Sequence, residues 1–212
     1  MFYLYIFYLF YICKMIIIPI GADCGVAELL KKYNLRNASY PFDWIVTYGG
    51  ISKIIENDFI DFIPDSNGKG VLNSTYNMWM VHYDLPNDTE KIERRIKRFT
   101  NLLEGSQEEI VFLRKGHWKS HHDECSKFFC NNNNDEITIN DITEAENLDN
   151  VLKTKYPNLK YSIVLLLVCG KCYQPDNIYT TKSSNITIHN IAMDPGANEP
   201  VENKFIELFV CK

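Results

Sequence analysis

The chain has no GxxxxGK[ST] phosphate loop, no GxGxxG turn, no HExxH helix and no protein-kinase residue set. These absences weigh against nucleotide-driven and zinc-peptidase chemistry, which need backbone amides or ligands at fixed spacing. Positive charge is also scarce. Lys and Arg number 22 against 27 Asp and Glu, a net charge of −5. That argues against a broad nucleic-acid surface, so no nucleic-acid partner is expected. No internal repeat and no linker divides the sequence, and 212 residues suffice for one domain with a sizeable core.

The cysteines number seven: Cys13, Cys24, Cys125, Cys130, Cys169, Cys172 and Cys211. The count is odd, and a domain of this size needs no disulfides, so a reducing compartment is expected. That points to cytoplasm. Abundant Asn, Ile, Lys and Tyr fit an AT-rich genome such as that of a large DNA virus, in which case the compartment is the host cytoplasm. The Asn-x-Ser/Thr triplets are of the kind an Asn-rich chain forms by chance.

Residues 1–12 are wholly apolar or aromatic, and Lys14 breaks the run. The stretch has no basic front, unlike a signal peptide. It reaches membrane-spanning length only by consuming residues up to Ile20. Residues 1–14 are therefore an apolar extension. They come either from a start placed upstream of a true Met15 or from a membrane anchor or uncleaved signal, with an ordinary buried element as a third option. Membrane association is expected only if residues 1–20 are retained.

From residue 15 to 212 the chain reads as a single α/β domain. Ile16 to Ile20 is a buried strand, and Gly25 to Tyr33 has helical spacing that stops at Asn34. An aromatic turn covers Tyr40 to Tyr48, and a short helix spans Ile51 to Asn57. Asp65 to Gly70 is a loop, and Asn77 to His82 a strand. Asp88 is expected to cap an amphipathic helix over Thr89 to Leu103. Glu109 to Leu113 is a strand, and residues 115–136 a long polar loop. A helix starting at Asp141 or Thr143 runs to Lys155. Tyr161 to Val168 is a strand buried on both faces, Ile186 to Ile191 another, and Glu202 to Phe209 a final helix or strand. The alternation predicts a layered sheet flanked by helices, Rossmann-like with mostly parallel strands, whose site belongs at the carboxyl ends of the strands.

Cys24 sits where the first strand gives way to a helix. The first helical turn carries unpaired N–H groups and partial positive charge, which favour a thiolate. His82 ends an apolar strand and is followed by Asp84. Asp43 is an acid among aromatics that needs a partner such as His82 or Arg36. This predicts Cys24 as nucleophile, His82 as base, and Asp43 or Asp84 as orienting carboxylate. The backbone N–H of Cys24 or Gly25 would supply part of an oxyanion hole. Arg36, Trp44, Arg98 and Arg114 are candidate substrate-binding residues. Glu90 to Arg98 otherwise reads as a solvated, ion-paired helix face. His189, with Asp194 nearby, is a spare base.

A second cluster comprises His117, His121, His122, Cys125 and Cys130, with Cys169-x-x-Cys172 far along the chain. It could form a tetrahedral zinc site, but the pattern equally suits plain thiols on a variable loop, and no cofactor is expected.

Gly21-x-x-Cys24-x-x-Ala27, Leu35-Arg36-x-x-Ser39-Tyr40-Pro41-Phe42-Asp43-Trp44 and Asn57-Asp58-Phe59 are followed by further motifs. These are His82-Tyr83-Asp84, Arg94-Arg95-Ile96-x-x-Phe99 and Val111-Phe112-Leu113-Arg114. Together they resemble a family of papain-like cysteine peptidases from bacteria and large DNA viruses, first described as a domain of unknown function. The resemblance spans roughly Ile16 to Val168. It implies a cysteine-dependent hydrolase, or related acyl-transfer enzyme, acting on a protein or peptide. A papain-type domain would set its cysteine helix against a mostly antiparallel sheet, unlike the parallel arrangement read above. Two other functions remain open. One is a catalytically inactive α/β binding or host-interaction module with residues 115–136 as its contact surface. The other is an SGNH-like esterase or transferase with Cys24 in place of serine. The sequence does not fix the oligomeric state.

Overall fold

A computed structural model describes residues 15–47, 49–116, 134–169, 180–192 and 199–211. Residues 1–14, the polar segment 117–133 with its His and Cys cluster, Cys172 and Asp194 lie outside the described residues.

The main sheet is parallel, in the order β1-β5-β6-β7. Its strands are β1 (Ile16–Pro19), β5 (Ile110–Lys115), β6 (Tyr161–Cys169) and β7 (Ile186–Ala192). Both faces are covered, which is why β1 and the central strands β5 and β6 carry apolar runs, while the edge strand β7 alternates. One face of the sheet carries Ile18, Phe112 and Leu165 into the larger core. The other presents Ile17, Val111, Leu113 and Leu166 to Val26, Leu30, Val201 and Phe205. The last four residues belong to helices α1 (Gly25–Lys32) and α5 (Glu199–Phe209).

A smaller antiparallel sheet has the order β2-β4-β3, from β2 (Val46–Thr47), β3 (Gly68–Asn73) and β4 (Met78–Leu85). It shares the larger core with α2 (Ile51–Glu56), α3 (Thr89–Gly105) and α4 (Asn134–Lys155). At the centre, Phe42 meets Phe99 edge-on at 5.5 Å, Phe59 meets Phe62 at 5.4 Å, and Phe99 meets Phe112 at 6.4 Å. Edge-to-face pairs add about 0.5–1.5 kcal/mol each beyond burial. An isolated backbone bridge, Ala22 to Thr47, joins the two sheets just past the end of β1.

The expected parallel α/β layering is present, and the antiparallel pairing is confined to the small sheet. Several boundaries differ. β3 starts at Gly68, inside the expected loop. α4 starts at Asn134, ahead of the expected Asp141, and its first residues, with isoleucines only at 137 and 139, carry no helical apolar period that would mark them in the sequence. Residues 199–209 are helical. Asp88 precedes α3 but makes no capping bond to that helix's amides. Its carboxylate instead accepts from Asp84 N–H at 2.9 Å and from Lys91 Nζ at 3.0 Å, closing the turn between β4 and α3.

Candidate functional site

The turn from β1 to α1 is built on Gly21. Its φ is +98°, and a Cβ there would stand 2.0 Å from Thr47 Oγ1 and 2.6 Å from Arg114 Nη1. Only glycine fits both the backbone and the space. Beyond it, Ala22 N–H donates to Lys115 C=O at 2.8 Å, and Thr47 N–H donates to Ala22 C=O at 2.7 Å. The turn is thus sewn to β5 on one side and β2 on the other.

Cys24 is the N-cap residue of α1, at the carboxyl edge of the parallel sheet, with its side chain partly buried. Its Sγ faces Glu28 Oε1 at 4.0 Å. Asp23 places Oδ1 on the Gly25 N–H at 2.8 Å and Oδ2 on Lys115 Nζ at 2.8 Å. Lys115 is 6% exposed. Burial pushes the Cys24 thiol above its ordinary range. Asp23 and Glu28 push the same way, against the backbone N–H of Cys24 itself and Lys115. The helix start is therefore not enough here to favour a thiolate. The Gly25 N–H, a candidate oxyanion donor, is already occupied by Asp23.

Arg114 is 1% exposed. It donates to Asp141 Oδ1 at 2.7 Å, Ile20 C=O at 3.0 Å, Thr47 Oγ1 at 3.2 Å and Thr47 C=O at 3.1 Å. These bonds clamp β1, β2 and α4 together. Of the three arginines expected to bind substrate, Arg114 thus faces inward, Arg98 is exposed and donates to Ser39 C=O at 2.6 Å, and Arg36 is paired with Asp43.

The Phe42-Asp43-Trp44 block splits three ways. Phe42 enters the core, Asp43 is fully buried and paired with Arg36, and Trp44 lies under the Arg36 guanidinium at 5.3 Å. Arg36 also donates to Ser39 Oγ at 2.8 Å. Burial raises the Asp43 carboxyl, opposed mainly by Arg36.

His82 meets the edge of Trp44 at 5.8 Å. It is exposed because β4 is irregular there. Lys69 and Val71 of β3 are two apart, while their partners Asp84 and Met80 are four apart. The extra residues on β4 shift its alternation, so Tyr83 turns inward and His82 outward. Asp84 accepts from Asn87 Nδ2 at 3.3 Å.

The structure thus gathers Arg36, Asp43, Trp44 and His82 around one indole, and Cys24 with Asp23, Gly25, Glu28 and Lys115 around one turn. Among the described residues no hydrogen bond joins Cys24 to His82, Asp43 or Asp84. His189, on β7, is pushed below its usual range by burial and Lys204, with Glu207 opposing. Asp23 and Lys115 were not singled out from sequence. The signal for them was the Arg114-Lys115 pair closing a buried strand, which needs acidic partners.

Among the described residues no helix is long and apolar enough to cross a membrane, and no group of three or more His, Cys, Asp or Glu is placed to hold a metal. Cys169 ends β6, but the other cysteines and histidines of the proposed zinc cluster lie outside the described residues.

No curated protein and no solved structure matches the chain. Residues 15–69, which carry Cys24, Arg36, Asp43 and Trp44 but neither His82 nor Lys115, match the model of a family described as putative papain-like cysteine peptidase.

Proposed function

We propose that the protein is a cysteine-dependent hydrolase in which Cys24 attacks the acyl carbon of a peptide-like substrate. The observation that carries this reading is the position of Cys24. It stands at the N-cap of α1, at the carboxyl edge of a parallel sheet and inside the family-matched segment. Attack by the thiolate forms a thioester and releases the leaving group, and water then frees the acid. His82 is the candidate base, with Asp84 two residues along the same strand as its orienting carboxylate. Asp43, committed to Arg36, is the weaker candidate for that part.

A second reading, an inactive binding module, draws on the raised Cys24 thiol and on the contact of His82 with Trp44. The two are separated by exposing the full chain to p-nitrophenyl acetate. The hydrolase reading expects turnover and an acyl adduct on Cys24 by intact-mass spectrometry. Cys24→Ala abolishes both, and His82→Ala slows turnover about 100-fold, the range for a lost general base. Absence of a Cys24 adduct and of turnover selects the binding module.

A further inference from the structure

Two positive groups flank Cys24: the Gly25 N–H in the first turn of α1, and the Lys115 ammonium at the end of β5. Both are bonded to one carboxylate, that of Asp23, at 2.8 Å each. The packing is close. A Cβ on Gly25 would stand 2.9 Å from Asp23 Oδ1 and 3.2 Å from Lys115 Nζ. The ammonium therefore lies directly against the backbone that follows Cys24. Lys115 is almost wholly removed from water, so its charge is poorly screened and acts at short range.

We propose that Asp23 is a positioning residue that sets the reactivity of Cys24, by occupying with one carboxylate both positive groups that would otherwise stabilise an anion at its sulfur. This deepens the hydrolase reading and rests on it for its consequence: the resting site is held in a low-reactivity state by its own side chain. The charged groups acting on the thiol are Asp23 from the turn, Glu28 from α1 and Lys115 from β5. With Asp23 neutralised, Lys115 loses its counter-charge and its full positive field falls on the sulfur. Neutralising Glu28 removes one negative charge but leaves the Asp23 bridge intact.

The test is the pH profile of iodoacetamide labelling at Cys24, followed by peptide mass spectrometry on the full chain, with folding monitored by circular dichroism. Asp23→Asn is expected to move the labelling midpoint down by about one pH unit, the size of effect a close charge exerts. That makes labelling several-fold faster near pH 7.5. Glu28→Gln shifts it less. Lys115→Met moves the midpoint up, and the Asp23→Asn, Lys115→Met pair returns it towards the parent value. A purely structural Asp23 would alter melting but not the midpoint. An unchanged midpoint in Asp23→Asn, or a shift no larger than that of Glu28→Gln, overturns the proposal. If Asp23→Asn does not fold, Lys115→Met decides alone, and an unmoved or lowered midpoint overturns the proposal. A shifted midpoint in a protein that forms no acyl adduct supports the control by Asp23 while removing the hydrolase reading, so the two fail separately.

Discussion

Arg36 binds one oxygen of the Asp43 carboxylate, while Asp43 Oδ1 and Arg36 Nε, both buried, are left without hydrogen-bond partners. The pair is thus only half satisfied, in a site where Asp43 is fully enclosed. Burial is the dominant influence on that carboxyl and raises it above its ordinary 3.8. A raised carboxyl contributes stability that is full below the unfolded value and is lost as pH rises through the folded one.

Removing the guanidinium should widen that window. Arg36→Met is expected to cost about 3 kcal/mol or more at pH 7, the range for orphaning a buried charge. Much of the loss should return as the pH is lowered towards 4 and protonation of the raised Asp43 carboxyl removes the orphaned charge. Urea unfolding at the two pH values checks this. Equal losses at both would show that packing against Trp44, rather than charge, is what Arg36 supplies.

Gly21 and Gly25 flank the same turn but should tolerate a methyl group very differently. At Gly21 the added carbon meets Thr47 Oγ1 at 2.0 Å on a left-handed backbone, whereas at Gly25 the obstacles are the tips of the Asp23 and Lys115 side chains. Gly21→Ala is expected to cost about 3 kcal/mol or more, from strain plus overlap. That lowers the melting temperature by roughly 10 °C in a chain this long. Gly25→Ala should melt close to the parent, and comparable melting for the two variants would contradict the assignment.

Asp149 works in the opposite sense to Asp43. Burial raises it, but Lys153, Ser183, Tyr161 and Asn185 outweigh burial, and the carboxyl lies below its usual 3.8. Its contribution is present above that value and is lost as pH falls through the lowered one. Tyr161 and Ser183 donate at 2.7 Å each, tying α4 to β6 and to the approach to β7. Lys153 is half exposed, and its ion pair adds little. Asp149→Asn should cost about 1–3 kcal/mol at pH 7. The gap to the parent should narrow below pH 4, measured by denaturant unfolding across pH.

Much of this was legible locally. β5 and β6 announce themselves as apolar runs, α3 by its period, and Asp43 as an acid among aromatics in need of a partner, His82 or Arg36, of which the structure supplies Arg36. The Cys24 turn was legible as a position but not as an environment. Its chemistry is set by Lys115, and its shape by Arg114 and Thr47, none of which is near in sequence. Arg114, at the end of an apolar strand, reads in the sequence as a candidate substrate-binding residue. Burial with Asp141 and two backbone carbonyls became visible only once the strands were side by side. His82 is read from the sequence as the end of a strand, but β4 runs on to Leu85 and places it inside an antiparallel strand, and the irregularity in β4 that turns it outward leaves no trace in hydrophobic alternation.

The pairing of β1 has a consequence for how the protein is made. Its sheet neighbour is β5, and Arg114 reaches Ile20 across 94 positions of sequence. While the chain is being synthesised, the Cys24 turn emerges early and waits for the strand that closes it. Contacts so distant are late and slow to form. Until residues 110–116 leave the ribosome, Cys24 is simply a thiol on an unfinished chain, and a product truncated before β5 would carry the family-matched segment without a completed site.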